Sequence, residues 1–86
     1  MIKFFKPVKQ IKISYSVPKI GNKHSVQVEV KIYDDSGHQI ANLVNEERET
    51  GTYEIEFDVS ELKKGLYFYQ VYAGSFVSVR EMFELK

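Results

Sequence analysis

Polar and apolar side chains alternate with a period of two along most of this chain. In "IKISYSV", Ile11, Ile13, Tyr15 and Val17 fall on one face, with Lys12, Ser14 and Ser16 on the other. "SVQVEVKIYD" sets Val26, Val28, Val30 and Ile32 against Gln27, Glu29 and Lys31. "TYEIEFDV" sets Tyr53, Ile55 and Phe57 against Thr52, Glu54 and Glu56. Such alternation, rich in β-branched and aromatic types, predicts half-buried strands with one face toward a core. Antiparallel sheets tolerate this arrangement, because their second face can meet water.

Turn chemistry punctuates the runs. "PKIGNK" and "DDSG" separate strands, and Gly37 is free to take a positive φ. "HQIANLV" reads as a shorter strand with Ile40 and either Leu43 or Val44 inward, and "NEERETG" as a charged loop after it. In "DVSELKKG", Asp58 and Glu61 stand at capping-box spacing, which predicts a single helical turn with Val59 and Leu62 directed to the core. Two strands close the chain, "LYFYQVY" and "FVSVREMFEL", joined by a tight hairpin at "AGS". The sum is six strands, or seven if "FFKPV" (Phe4–Val8) also pairs. Strands at this spacing predict one all-β domain over residues 1–86, an immunoglobulin-like antiparallel β-sandwich.

The strand that begins at Leu66 carries large side chains on both faces. Its phase directs Tyr67, Tyr69 and Val71 inward and leaves Leu66, Phe68 and Tyr72 outside. An exposed apolar patch of that kind is a candidate binding face. Coverage by a loop or by the N-terminal segment is the other reading.

Composition narrows the function. Twelve basic and twelve acidic residues cancel, whereas nucleic-acid binders usually show a basic excess or stripe. Lys3, Lys6, Lys9 and Lys12 form the densest basic group and read as solubilising residues, so no nucleic-acid partner is expected. The absence of cysteine excludes disulfides and thiolate metal sites. No run approaches the roughly 18 apolar residues of a membrane span. The N-terminus lacks an apolar stretch long enough for a signal peptide, so the chain is expected to be cytosolic or a piece of a longer precursor.

Candidate chemistry is sparse. His24 and His38 sit in polar turns and lack the i, i+4 spacing of a helical metal pair. Asp34 and Asp35 supply too few oxygens for calcium, which takes about six to eight. Glu46, Glu47 and Glu49 alternate with Arg48 in a charged stretch, and the glycines occur singly, so no phosphate-cradling loop exists. We expect no enzyme, no cofactor and no small-molecule substrate; oligomeric state is open.

Several motifs in order carry a resemblance. "FKPVKQIKISYSVP" is a Phe-x-Pro element followed by an alternating strand ending in Pro. "VKIYDDSGHQIANLV" contains Tyr-Asp-x-x-Gly, and "GTYEIEFDVSEL" a Gly-x-Tyr strand ending in Asp. "KKGLYFYQVYAGSF" has a Gly-x-Tyr-x-Tyr core and an Ala-Gly turn, and the chain ends in "EMFELK". From about Phe5 to Lys86 this resembles the type A C-terminal sorting domain of proteins secreted by the bacterial type IX (Por) system. The related immunoglobulin-like domain of flagellar hook-capping proteins shares the pattern. The opening "MIKFFKPVKQ" departs from the family's usual asparagine- and proline-rich start.

The resemblance implies a non-catalytic label at the end of an exported precursor. It would be recognised in the periplasm by outer-membrane secretion machinery on the way to the cell surface. It implies partner recognition near the end of the chain, at Gly65, Tyr67, Met82, Phe83, Glu84, Leu85 and Lys86. The alternative is an immunoglobulin-like interaction or spacer module using the Leu66, Phe68 and Tyr72 face.

Overall fold

The computed structural model describes residues 9–86. Its strands are β1 (Gln10–Val17), β2 (Ser25–Asp34), β3 (Gln39–Glu49), β4 (Gly51–Asp58), β5 (Gly65–Ala73), β6 (Phe76–Val77) and β7 (Glu81–Leu85). All pairings are antiparallel. β1 and β4 form a two-stranded sheet, and β3, β2, β5 and β6 follow one another in the larger sheet, where β7 also pairs with β5. The all-β sandwich is therefore as expected. The possible strand at Phe4–Val8 lies outside the described residues.

Alternation becomes burial. In β1, Ile13, Tyr15 and Val17 are buried and the intervening Ser14 and Ser16 are exposed. In β2, Val28, Val30 and Ile32 are completely enclosed. Each such side chain contributes about 1.5–3 kcal/mol as its apolar area leaves water. One cluster joins Tyr15, Val17, the β2 valines, Val44, Val71 and Ala73 between the sheets. A second, at the other end, joins Val59, Tyr67 and Leu85, with Ile11, Phe57, Leu62 and Phe83 packed against them.

Three local expectations change. First, the charged "NEERE" stretch is strand: Asn45 to Glu49 stay in register with Glu29 to Ser25. An edge strand can carry this charge because its side chains reach water, and charged edges discourage unwanted pairing. Gln27 donates to Asn45 across the pair at 2.6 Å. Two register shifts in the β2–β3 ladder put Val44 in the core and leave Ile40 exposed and Leu43 packed at the margin.

Second, the "DVSELKKG" turn contains no helix. The Asp58 carboxylate accepts from the Ser60 amide at 2.9 Å and the Ser60 hydroxyl at 2.6 Å, an Asx arrangement that competes with helical bonding. Leu62 N donates to Val59 O, closing one β-turn that still delivers Val59 and Leu62 to the second cluster.

Third, the last strand is interrupted. Val77 lies opposite Tyr72 and Glu81 opposite Tyr69, so Ser78, Val79 and Arg80 face only Val71 and Gln70. This is a β-bulge, with one residue more on the outer strand than on its partner. Ser78 holds it together: its amide donates to Val71 O at 2.8 Å, and its hydroxyl accepts from Val71 N at 2.9 Å. A side-chain oxygen thus stands in for a ladder carbonyl. The preceding hairpin turns at Gly74, whose φ of 58° suits the first position of a two-residue turn.

Candidate functional site

The residues singled out from sequence come together where β7 pairs with the start of β5. Gly65 lies opposite Leu85, Leu66 opposite Glu84, Tyr67 opposite Phe83 and Phe68 opposite Met82. Directly opposed residues share a face, so the pairs alternate between the inside and the outside of the sandwich. The bulge sets this phase. Without its extra residue, the tail would slip by one position and its inner and outer side chains would exchange.

The inward set is structural. Tyr67 is buried and its ring stacks on Phe83 with centroids 5.6 Å apart. Its hydroxyl donates to Lys63 O at 2.7 Å. Tyr53 repeats the device, donating to Glu49 O four residues before it. The two Gly-x-Tyr motifs are thus one local construction used twice. Leu85 is buried with Tyr67 and Val59. Gly65 has a φ of 144°, a backbone region that disfavours side chains, although a Cβ there would meet no neighbour within 4 Å.

The outward set is accessible. Met82 is 63% exposed and Leu66 42% exposed; Glu84 and Lys86 are also exposed. Among the described residues β7 pairs only with β5, which leaves its other backbone edge unpaired.

Phe68 and Tyr72 lie on the same outer face but are half-buried. Neighbouring strands provide the cover. Tyr33, opposite Phe68, shares a 2.8 Å hydrogen bond between hydroxyls with Tyr72, which donates to Gln70 Oε1 at 3.0 Å. Lys31 stands 4.9 Å from the centre of the Tyr72 ring, and the Arg80 guanidinium 5.1 Å from that of Tyr33. Burial, then the Tyr72 bond, pushes the Tyr33 pKa up to about 12, so the Tyr33 hydroxyl stays protonated. Each of the two rings has a cation over it, and the patch is smaller than the sequence suggested. Sequence reasoning missed Tyr33, Lys31 and Arg80 because their neighbours across the sheet are remote in the chain.

At the end of the sandwich, a depression of about 290 Å³ opens between the Val59–Leu62 turn and the end of β7. Val59, Leu62 and Leu85 supply its apolar lining, and Lys9, Lys64 and Lys86 its charge. Lys9 Nζ donates to Lys86 O at 3.3 Å. Of the basic group Lys3, Lys6, Lys9 and Lys12, Lys9 lines this depression, and Lys3 and Lys6 lie outside the described residues. Among the described residues, no group of three or more His, Cys, Asp or Glu side chains could hold a metal ion.

A family model described as a secretion system C-terminal sorting domain matches residues 7–83 of the chain. No curated protein and no solved structure matches it.

Proposed function

Since the chain belongs to the family of secretion system C-terminal sorting domains, we propose that strand β7 is where the type IX secretion machinery reads it. The domain is a C-terminal sorting signal of that system, and a precursor bearing it is destined for the cell surface or the extracellular space. The finer parts of the reading are that it is engaged in the periplasm, that its partner lies in the outer membrane, and that it performs no catalysis.

One observation carries the choice of β7: Met82 and Glu84, with Lys86 just past its end, are exposed along a strand whose second edge is unpaired among the described residues. A partner strand added there would gain main-chain hydrogen bonds for affinity and alternate side chains for specificity. Gly65, Tyr67 and Leu85 serve this surface indirectly, by fixing where β7 sits. Phe83 belongs with them, stacked beneath the strand.

The test is an export assay. A signal peptide and a reporter precede residue 1, in a host with a working type IX system and in a translocon-deficient copy. Surface reporter in the competent host alone is expected. The triple variant Met82→Ala, Glu84→Gln, Lys86→Gln keeps Phe83 and Leu85 and should fold, yet lose export. Full export by the folded variant would place recognition elsewhere. Deleting Glu84 to Lys86 is a poorer test, because it removes the buried Leu85 as well.

A further inference from the structure

The bulge between β6 and β7 is closed by two side chains. The Ser78 hydroxyl stands in for a ladder carbonyl, accepting from Val71 N at 2.9 Å. Gln70 supplies the complement: its Nε2 donates to Ser78 O at 2.8 Å, in place of a ladder amide. Ser78 therefore has its amide, its carbonyl and its hydroxyl all engaged by the two residues opposite the bulge. β7 is five residues long and pairs only with β5 among the described residues, so its placement depends on this junction.

A glutamine amide has a donor end and an acceptor end, so the end that meets Ser78 O must be fixed. Tyr72 fixes it, donating its hydroxyl to Gln70 Oε1 at 3.0 Å. A phenol has one proton to give, and that of Tyr72 goes to Gln70. In the 2.8 Å contact between hydroxyls, Tyr33 is therefore the donor. The bonds form one chain of a single direction, from Tyr33 through Tyr72 and Gln70 to Ser78 O. Arg80, two residues past Ser78, returns to place its guanidinium 5.1 Å from the centre of the Tyr33 ring. Side chains of β2 and β5 thus grip the bulge at both of its ends.

We infer that Gln70 is a positioning residue for sorting: its amide, aimed by Tyr33 and Tyr72, clamps the bulge and holds β7 where it is read. The inference rests on the reading that β7 is the recognised strand. It gives the outer hydroxyls of Tyr33 and Tyr72 a task within the fold and not at a partner.

Gln70→Met keeps the length of the side chain and removes both donor and acceptor. Tyr72→Phe leaves Gln70 in place and removes only the hydroxyl that aims it. Gln27→Met, which breaks the glutamine bond to Asn45 on the β3 side of the same sheet, is the control. Amide hydrogen exchange on the full chain is read at Val71, across β7, and at Val30 and Ile32 in β2. Gln70→Met should speed exchange at Val71 and in β7 by about three- to tenfold, the scale of a single hydrogen bond, and Tyr72→Phe by less. Val30 and Ile32 should keep their rates in both, and the control should leave β7 unchanged. In the export assay Gln70→Met should deliver several-fold less reporter to the surface. Unchanged β7 exchange in Gln70→Met, or equal acceleration of β7 and of Val30 and Ile32, would overturn the inference, as would full export by a variant whose β7 has loosened. The exchange experiment contains no secretion machinery, and the Met82, Glu84 and Lys86 variant tests the β7 reading itself, so the two can fail separately.

Discussion

Ser78→Ala isolates the bulge. The substitution removes the hydroxyl oxygen that accepts the Val71 amide hydrogen across the irregular part of the ladder, while keeping the backbone bond from Ser78 N to Val71 O. Val71 is buried, 4% exposed, so its amide loses a partner in a place poor in water. A neutral hydrogen bond is worth about 0.5–1.5 kcal/mol net, and a stranded buried donor costs about 1–3 kcal/mol. Ser78 also lines an open groove beside Ser14, Ser16 and Phe76, through which water can reach the site, so the upper end is not attained. The expected loss is about 1–2 kcal/mol, and for a domain of this size each kcal/mol lowers Tm by about 4–8 °C. Urea unfolding gives the free energy, and amide hydrogen exchange at Val71 gives its location. Ser78→Thr keeps the oxygen and should restore much of the protection. A Tm unchanged within error, with Val71 exchange also unchanged, would refute the role assigned to the Ser78 hydroxyl.

Three further outcomes follow from the same geometry. Tyr67→Phe should cost about 1 kcal/mol, the bond to Lys63 O, whereas Tyr67→Ala should cost about 3–5 kcal/mol by emptying the second cluster; chemical denaturation distinguishes them. Gly65→Ala should destabilise by about 1–3 kcal/mol through backbone strain alone, since the site is open, and a D-alanine at this position in a synthetic chain should be tolerated. The Asp34 carboxyl is held below its ordinary pKa, first by the His38 amide, with the Ser36 amide and the His38 charge adding to it. Its contribution to stability is therefore full above the usual carboxylate range and lost as pH falls through the depressed value. NMR titration of Asp34 beside the better solvated Asp35 reads that shift.

The sequence discloses β1, β2 and β4 readily because each is a clean alternation with one face to water. It also discloses the burial of Tyr67 and Val71, which follows from the phase of β5. The length of β3 is hidden, since Glu46 to Glu49 resemble a solvated loop until β2 is known to need a partner there. Nor does the alternation of "EMFELK" say which of its two faces is inner. That depends on pairing with β5 and on Ser78, whose hydroxyl bonds a residue in another strand. The lysine-rimmed depression is illegible for the same reason: Lys9, Lys64 and Lys86 come from separate parts of the chain, and only closure of the sandwich gathers them.

The extra residue in the bulge also limits what the tail can say. A surface presented by a strand is a message in which every second letter is printed on the back of the page. Here Met82, Glu84 and Lys86 are the printed side, while Phe83 and Leu85 are written for the core. Sequence drift at the first three positions changes the message, whereas drift at the other two tears the paper. Loss or gain of one residue between Ser78 and Arg80 would do something different in kind. It would turn the page over, offering phenylalanine and leucine to the partner and a glutamate to the core, with every letter still in its original order.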